Sequence, residues 1–350
     1  MGEIGFGLIG CGRISKNHFE SIKALPGADL IAAADIDKRA LQAAVGKYQC
    51  QGYLDYKEML KEPKIQVVNV CTPSGLHAQI ALDAIRSGKH VIIEKPMAMS
   101  LVEADSVIKA AKRAGVKVGV AHQNRFNKTI TRLRQVYEQG KFGKLTHGSA
   151  VVRWNRNDQY YSQAPWRGTW ANDGGCLMNQ SIHNIDLLQW MMGEVESVFA
   201  YAATNLRKIE GEDVATAVLK FKSGALGLIE ATTTVFPTNL EETLNIFGSD
   251  GTVVLGGIAV NKVEAWRFAD EDEAAVLANQ GAEPPNVYGF GHADLIADFM
   301  DAVISDREPA INGEEGRKAL EIILAIYHSV KYKKEIKIPL QEEFTIGISR

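Results

Sequence analysis

The sequence predicts an α/β protein of two domains, a doubly wound parallel sheet followed by an α+β domain built on a broad sheet. Three observations support this prediction. The first 122 residues alternate short apolar runs with helical patterns, and the residues after 125 form longer strands joined by short turns. The chain also has 350 residues, which exceeds the ~250 to 300 residues at which a single hydrophobic core stops growing.

Five apolar runs in the first domain lack the alternation of half-exposed strands, which is typical of parallel strands buried on both faces. They cover residues 4–9, 30–34, 67–70, 91–93 and 116–120. Helical segments lie between them at residues 16–24, 38–47, 78–87 and 101–114. Gly46, Gly88 and Gly115 are expected to end three of these helices. This order of elements is the βαβ pattern, and it predicts a right-handed parallel sheet.

The pattern changes after residue 125. A helix at residues 129–138 precedes longer strands, which include residues 145–154, 195–204, 214–221 and 225–234. Short turns at residues 222–224 and 248–251 predict antiparallel hairpins. Two later helices, at residues 292–305 and 314–330, either cover this second sheet or return to the first domain. We place the domain boundary after residue 122, and we expect residues 281–291, rich in Pro and Gly, to form a mobile loop.

Composition and charge exclude several classes of protein. Lys and Arg number 39 against 42 Asp and Glu, so the net charge of -3 offers no basic excess for nucleic acid. Cys11, Cys50, Cys71 and Cys176 form no CxxC pair, which argues against a disulfide framework or a structural zinc site. No signal peptide and no run near the ~18 apolar residues of a membrane span is found. We therefore expect a cytoplasmic protein without nucleic-acid or membrane partners.

A glycine-rich turn follows the first predicted strand. The residues GCGRIS at positions 10–15 fit the GxGxxG fingerprint, with Ser in the last place. Gly10 allows the tight turn, and Gly12 lets the N–H groups of a helix N-terminus approach a pyrophosphate. Asp35 lies at the end of the second strand, near the ~20-residue offset expected of a ribose ligand. These features favour a dinucleotide site over a plain strand-to-helix turn.

The carboxylate at Asp35 favours NAD over NADP. It would accept hydrogen bonds from ribose hydroxyls and would repel a 2'-phosphate. Lys38 and Arg39 weaken this preference, because basic residues just past the strand can pair with a 2'-phosphate. The alternative interpretation of the two basic residues is an ordinary solvated helix surface.

Lys95 lies directly after the strand at residues 91–93, within the sequence Glu94-Lys95-Pro96. This position is the carboxyl edge of the predicted sheet, where ligands of this architecture bind. A lysine at the end of a strand is usually a surface residue. Pro96, however, restricts Lys95 to an extended backbone, which favours a held side chain and a role in chemistry.

Asn179, His183 and Asp186 are spaced at i, i+4 and i+7, so a helix from about residue 179 would place them on one polar face. The alternative is a capped core helix with a satisfied histidine. A metal site is disfavoured because the cluster holds one histidine and Asn is a poor ligand for transition metals. We therefore predict no metal site.

Four segments in the sequence together resemble the Gfo/Idh/MocA oxidoreductase family. They are GLIGCGRIS, CTPSGLHA, GKHVIIEKP and GGCLMNQSIHNIDLLQW, and they occur in that family's order across nearly the whole chain. The resemblance implies an N-terminal Rossmann domain at 1–122, which binds NAD(P). It also implies a substrate-binding and oligomerisation domain at 123–350 with a large open, mostly antiparallel sheet. Members commonly assemble as a homodimer or homotetramer through that sheet.

The resemblance also implies roles for individual residues. Lys95 and His183 match the catalytic lysine and histidine, and the resemblance leaves open which of them is the base. Residues that we expect to bind the cofactor are Gly10, Cys11, Gly12, Arg13, Ile14, Asp35, Thr72, Pro73, His77, Glu94, Lys95, Gln123, Trp166 and Arg167. Residues that we expect to bind the substrate are Lys95, Tyr160, Tyr161, Arg167, Asn179 and His183. For the aromatic residues, core packing is the alternative.

Asn179 departs from the pattern of many members, which carry Asp there. Because Asn cannot hold an imidazolium by charge, we expect His183 to be less basic than in those members. The segments around residues 153–190 and 239–266 most resemble the UDP-N-acetylglucosaminuronate 3-dehydrogenases, a branch that carries the same MNQ-xx-H form. The resemblance therefore implies oxidation at C3 of this sugar nucleotide for synthesis of bacterial surface polysaccharide such as lipopolysaccharide O-antigen.

Three alternatives to this function stay open. One is a dehydrogenase acting on another sugar or cyclitol, such as a free sugar, inositol or UDP-GlcNAc. A second is NAD-dependent glycoside cleavage through transient oxidation at C3. The third is a dinucleotide sensor without catalysis, which the presence of both Lys95 and His183 disfavours because a sensor needs neither.

Overall fold

The structure is a computed structural model that describes residues 4–278 and 287–341. The chain forms two compact units. The first comprises Met1–His122 and His292–Arg317, and the second comprises Gln123–Gly291 and Lys318–Arg350. Of the loop expected at 281–291, residues 281–286 lie outside the described residues. No helix in the described ranges is both long enough and apolar enough to cross a bilayer.

The first unit contains a six-stranded parallel sheet with the order β3-β2-β1-β4-β5-β6. Its strands are β1 (Ile4–Ile9), β2 (Ala28–Ala34), β3 (Gln51–Tyr53), β4 (Val67–Val70), β5 (His90–Ile93) and β6 (Val118–Val120). The strand order reverses between β1 and β4, and ligands of doubly wound sheets bind outside the carboxyl ends at such a point. The predicted parallel sheet is thus confirmed, while the short edge strand β3 was not predicted.

Helices connect these strands. They are α1 (Ser15–Ala24), α2 (Lys38–Tyr48), α3 (Tyr56–Met59), α4 (His77–Arg86) and α5 (Leu101–Ala114). The prediction that Gly46 ends α2 is wrong, because the helix continues to Tyr48 and ends at Gln49 in a left-handed conformation with φ 55°. Gly46 is tolerated inside the helix because the side chains of Leu41 and Ala44 supply its buried face.

The second unit begins with a helix and a long strand, followed by the segment that carries several predicted site residues. These elements are α6 (Lys128–Glu138), β7 (Leu145–Arg153), α7 (Asp158–Tyr161) and α8 (Ile182–Met192). The strands and helices that follow are β8 (Val195–Ala203), β9 (Val214–Phe221), β10 (Leu226–Thr232), β11 (Glu241–Gly248), β12 (Gly251–Gly256), β13 (Lys262–Phe268) and α9 (Glu273–Ala278). The last elements of the chain are α10 (His292–Ile304), α11 (Gly313–Tyr332) and β14 (Ile336–Lys337).

The eight-stranded sheet of the second unit has the order β13-β12-β11-β7-β10-β9-β8-β14. The hairpins β9/β10 and β11/β12 are antiparallel, as predicted from their turns. Strand β7 lies between them and pairs parallel with β10, in a register that aligns Leu226 with His147. The sheet is therefore mostly antiparallel, with one parallel pair that the sequence does not reveal.

The two faces of this sheet differ. On one face α8 packs against β7, where Leu188 and Met192 lie over Gly148. The opposite face, which we call the outer face, exposes apolar side chains on β8, β9 and β10. These are Tyr201, Val218, Leu226 and Leu228, each more than 40% exposed.

Helix α10 belongs to the first unit, which settles the alternative that the sequence left open for residues 292–305. It packs against α1, and the segment that follows it forms an isolated antiparallel bridge between Asn312 and Gly119 on the edge strand β6. The Val120 amide donates to the Ile311 carbonyl at 3.0 Å. The first unit is thus completed by a segment that follows β13 of the second unit in the chain.

Candidate active site

The turn after β1 has the geometry of a dinucleotide site. Gly10 adopts φ +95°, and a Cβ at this position would lie 2.7 Å from the Cys71 carbonyl carbon and oxygen. Only glycine fits there without displacing the backbone after β4. Asp35 accepts hydrogen bonds from the amides of Cys11 at 2.6 Å and Asp37 at 2.7 Å. The carboxylate thereby ties the turn to the end of β2 and keeps lone pairs for further donors.

Ser15 explains how the fingerprint tolerates a residue larger than glycine. Its side chain is buried at the start of α1, and its hydroxyl donates to the Gly12 carbonyl at 2.6 Å. The residue before the helix, Ile14, provides no side-chain cap. Apart from the Asn17 amide, which donates to the Ile14 carbonyl at 3.0 Å, the first N–H groups of α1 are thus available to an anion, as the N-terminus of a phosphate-binding helix requires. Arg13 is exposed beside this turn.

Thr72 and His77 form a second part of the site, after β4. His77 is 1% exposed, and its ring nitrogens lie 2.8 Å from the Thr72 and Pro96 carbonyl oxygens. Burial lowers the pKa of His77, against the opposing effect of these hydrogen bonds. The Thr72 hydroxyl oxygen is buried and has no hydrogen-bond partner among the described residues. Pro73 follows directly, before a short turn at Ser74–Leu76.

The residues after β5 are held tightly. Glu94 is 4% exposed, and its Oε1 lies 2.8 Å from His18 Nε2 on α1 and 3.8 Å from His292 Nε2 on α10. Burial alone would raise the pKa of Glu94, but the two histidines outweigh burial and hold it well below its ordinary value. Lys95 is half-buried between Glu94 and the buried Pro96.

The features of the first unit fit NAD. Four features would hold its pyrophosphate and ribose groups: the close backbone approach at Gly10, the uncapped N-terminus of α1, the Asp35 carboxylate and the unsatisfied Thr72 hydroxyl. NAD is an acceptor of hydride. These predicted cofactor-binding residues all lie in the first unit, whereas the other three, Gln123, Trp166 and Arg167, belong to the second unit.

In the second unit, a π-helical turn at Cys176–Ser181 leads directly into α8. Asn179 lies in this turn, and its amide donates to the Asp173 carboxylate, which also accepts from the Gly168 amide at 2.6 Å. His183 lies in the first turn of α8 and is 8% exposed. A π turn often marks a functional site, because it changes the direction of the side chains that follow it.

Asp186 has a structural partner that the sequence analysis missed. Arg125 donates to its two carboxylate oxygens from Nε at 2.7 Å and from Nη2 at 2.6 Å. Both side chains are almost fully buried. The residues of the predicted polar face therefore differ in role. Asp186 forms a bidentate ion pair that fixes α8, whereas His183 lies one turn earlier and is not part of this pair. Nothing in the spacing of the sequence indicates this pairing across 61 residues.

Tyr160 lies between two arginines. Arg167 donates to its hydroxyl at 2.6 Å and lies 4.4 Å from its ring centroid. The Arg156 guanidinium lies 5.1 Å from the same centroid and donates to Gln180 at 3.0 Å. The Arg167 guanidinium also lies 4.6 Å from the Trp166 ring centroid. These aromatic residues are therefore not simple core, and Arg156 joins the cluster as a residue that the sequence analysis did not select.

Tyr161 is placed differently. Its hydroxyl lies 3.3 Å from the Thr233 hydroxyl, and its ring packs edge-on against Tyr160. Burial raises the pKa of Tyr161 further above its ordinary value. The Tyr161 side chain thus packs against Tyr160 and is less suited than Tyr160 to contact a ligand directly.

A buried acid underlies the π turn. Glu212 is 1% exposed, and its Oε1 accepts from the Leu177 amide at 2.8 Å and from the Tyr327 hydroxyl at 3.2 Å. Burial raises the pKa of Glu212 to about 7. Position 175 requires glycine, because a Cβ there would lie 1.8 Å from Glu212 Oε2. Gly175 thus makes room for this carboxyl group.

Comparison with known proteins identifies the same oxidoreductase family for both units. The family model for the NAD-binding Rossmann fold of the oxidoreductase family matches residues 4–122, and that for the GFO/IDH/MocA C-terminal domain matches residues 130–254. Among curated proteins, the myo-inositol 2-dehydrogenase of Thermotoga maritima is 28% identical over 95% of this chain and 98% of its own.

Two solved structures are more similar in sequence. The WlbA dehydrogenase from Bordetella pertussis, in complex with NADH and UDP-GlcNAcA, is 38% identical over 97% of this chain and 100% of its own, with a TM-score of 0.89. The WlbA dehydrogenase from Chromobacterium violaceum, in complex with the same two molecules, is 37% identical over 97% of each chain, with a TM-score of 0.90. The chain therefore belongs to the Gfo/Idh/MocA family of oxidoreductases, whose NAD-dependent members act on hydroxyl groups of sugars and cyclitols, and its first unit is the NAD-binding Rossmann domain.

Proposed function

We propose that this protein oxidises the C3 hydroxyl of UDP-N-acetylglucosaminuronate to the 3-keto sugar nucleotide. The WlbA dehydrogenases, similar over nearly the whole chain, are bound to NADH and to this sugar nucleotide. Within this chain, the observation that carries the proposal is the pair of arginines around Tyr160. This pair favours an anionic substrate over a neutral sugar or cyclitol.

Arg156 and Arg167 flank one phenol ring, and neither forms an ion pair with Asp or Glu among the described residues. Their hydrogen bonds go to neutral acceptors, which are the Asn155 carbonyl, the side chains of Asn239 and Gln180, and the Tyr160 hydroxyl. Two partly buried guanidiniums without a counter-anion are costly to hold. A carboxylate or phosphate on the substrate supplies the missing charge and can accept bidentate hydrogen bonds.

The proposed chemistry divides the oxidation between a hydride and a proton. NAD, when bound, accepts the hydride from C3. Lys95 and His183 handle the proton of the C3 hydroxyl, one as base and the other as donor to the developing alkoxide oxygen. Asn179 contributes a neutral amide beside His183, held by Asp173.

The test is a product analysis. Purified protein is incubated with NAD and UDP-N-acetylglucosaminuronate, and in parallel with UDP-N-acetylglucosamine. We expect NADH formation and the loss of two hydrogens from the uronate only. Lys95→Met should abolish turnover while NAD binding persists, and Lys112→Met, on the exposed surface of α5, is the matched control. Full activity of Lys95→Met, or no product from the uronate, would contradict the proposal.

A second candidate is a dehydrogenase of free cyclitols. The curated relatives favour it, because the myo-inositol 2-dehydrogenase of Thermotoga maritima covers 95% of this chain. Oxidation of myo-inositol in the same assay, without oxidation of the uronate, would support this alternative. A chromogenic glycoside in a further arm tests for NAD-dependent glycoside cleavage.

The compartment, the pathway and the oligomeric state of the enzyme are also proposals. We place the enzyme in the cytoplasm, in bacterial surface polysaccharide synthesis, as a homodimer or homotetramer. All four cysteines are unpaired, which fits a reducing compartment. The outer face of the large sheet, with Tyr201, Val218, Leu226 and Leu228 exposed, is the surface best suited to contact between copies. The oligomeric state of Val218→Glu, measured by light scattering, tests this assignment.

A further inference from the structure

Three buried side chains from distant parts of the chain meet in the first unit. His18 on α1 is 0% exposed, and Glu94 after β5 and His292 at the start of α10 are each 4% exposed. Their potential ligand atoms all lie within 4.8 Å of one another. The imidazole rings of His18 and His292 pack edge-on with centroids 5.4 Å apart. A buried cluster of this kind either binds a metal ion or forms a hydrogen-bond network.

The contacts around His18 favour the network. The Asn69 amide nitrogen lies 2.8 Å from His18 Nδ1 and donates to it, so the ring carries its proton on Nε2. That nitrogen donates to Glu94 Oε1 at 2.8 Å. Two ligands of one tetrahedral zinc ion lie roughly 3.3 Å apart, given bonds of about 2.0 to 2.1 Å. The shorter separation observed here is that of a direct hydrogen bond.

The network reaches Lys95 through the backbone. Glu94 Oε2 accepts from the Lys95 amide at 3.2 Å. On the other side of the lysine, the Pro96 carbonyl lies 2.8 Å from His77 Nδ1. Both neighbours of Lys95 are therefore anchored by buried histidines, which limits the movement of the backbone from which the lysine side chain extends.

We propose that His18 and His292 are positioning residues for Lys95, which they hold through the Glu94 carboxylate. This inference rests on the role of Lys95 in the proposed function. The carboxylate bridges α1, α10 and the end of β5, and its hydrogen bond fixes the Lys95 amide. His18 carries most of the effect because its hydrogen bond to Glu94 is direct, whereas His292 Nε2 lies 3.8 Å from the same carboxylate oxygen.

The functional consequence is geometric. A base must lie within hydrogen-bond reach of the proton that it removes. A displacement of about 1 Å in a positioned group can lower a rate by on the order of 10²-fold. Loss of the His18 bond should therefore lower kcat by about 10- to 100-fold, while the KM for the sugar and the affinity for NAD change by less than about threefold, because the binding groups stay in place.

The test compares three variants of the full chain. His18→Leu removes both hydrogen bonds of the ring. His18→Gln places an amide nitrogen near the position of Nε2, so it should retain the bond to Glu94 and recover most of kcat. His90→Leu, at the opposite end of β5, is the matched control and should keep wild-type kcat. If His18→Leu does not fold, Glu94→Gln replaces it, because it keeps the volume and weakens the contact with Lys95.

A second measurement is independent of the sugar substrate. Trace labelling of amines, quantified at Lys95 by mass spectrometry in the presence of NADH, reports how firmly the lysine is held. We expect labelling to rise several-fold in His18→Leu and not in His18→Gln or His90→Leu. If the proposed function fails, no variant will oxidise the uronate, yet this difference in labelling will persist.

Two results would overturn the inference. One is that His18→Leu and His18→Gln have equal kcat and equal labelling of Lys95, which would make the cluster only a part of the core. The other is a stoichiometric metal in purified wild-type protein that is lost in His18→Leu, which elemental analysis would detect. Such a metal would replace the hydrogen-bond network as the role of the three residues.

Discussion

Replacement of Glu212 by Gln tests the electrostatics beneath the π turn. The carboxyl is 1% exposed, receives hydrogen bonds from Leu177 and Tyr327, and lies against Gly175. Its Oε2 has no hydrogen-bond partner in the described part of the chain. Burial raises its pKa from 4.5 to about 7 in spite of these hydrogen bonds, because an ionised carboxylate with one bare oxygen is poorly solvated there.

The sign and size of the effect follow from proton linkage. Below pH 4.5 the carboxyl is protonated in both the folded and the unfolded state, so it adds no pH dependence. Between pH 4.5 and about 7 the folded state keeps a proton that the unfolded state loses, and the free energy of unfolding falls by about 1.4 kcal/mol for each pH unit. Above about pH 7 this loss of unfolding free energy is complete, at about 3 kcal/mol. Glu212→Gln, which is always neutral, should remove this deficit.

The assay is urea unfolding between pH 4.5 and 8.5, followed by tryptophan fluorescence. All five tryptophans lie in the second unit, so the signal reports the unit that contains Glu212. The variant should be about 3 kcal/mol more stable than wild type at pH 8, and the difference should approach zero at pH 4.5. Glu210→Gln, at an exposed position of the same loop, is the control. A difference between Glu212→Gln and wild type that stays constant across this range would refute the reasoning.

Three further predictions concern ligand binding and stability. Arg156→Gln should raise the KM for UDP-N-acetylglucosaminuronate by tenfold or more and leave the affinity for NAD unchanged in calorimetry, and an equal loss for both ligands would exclude a specific role with the sugar anion. Arg125→Met leaves the Asp186 carboxylate buried without its partner and should cost about 3 to 5 kcal/mol in urea unfolding, with recovery expected when Asp186→Asn is added. Gly10→Ala should destabilise the first unit by more than about 2 kcal/mol and abolish NAD binding. Gly12→Ala, where a Cβ meets nothing within 4 Å, should keep wild-type stability, and equal thermal unfolding of the two glycine variants would contradict the argument.

Local patterns in the sequence were sufficient to predict most of the first unit. Buried parallel strands, the turn at Gly10 and the carboxylate at Asp35 each leave a signal within about 30 residues, because the βαβ unit is built from neighbours in the chain. The antiparallel hairpins were predictable for the same reason. The end of α2 was not predictable in this way, because the helix continues through Gly46 while other residues form its buried face.

The parts that escaped prediction depend on contacts between distant residues. Strand β7 pairs with β10 across about 80 positions, and Arg125 reaches Asp186 across 61. Each partner alone is an ordinary polar or apolar residue in its own segment. Arg156 could have been found from its aromatic neighbour Trp154 and the adjacent polar residues, a pattern typical of a stacked arginine.

The return of α10 to the first unit has a consequence for how the protein is made. His292 follows His122 by 170 positions (292 minus 122), and a ribosome adds roughly 5 to 20 residues per second. For roughly 10 to 30 s the nascent Rossmann unit therefore exists without the helix that packs on α1 and without the bridge from Asn312 to β6. During that interval its sheet edge and the charge of Glu94 lack their final cover. The NAD-binding unit is thus completed late in synthesis, even though its first strand precedes the second unit in the chain.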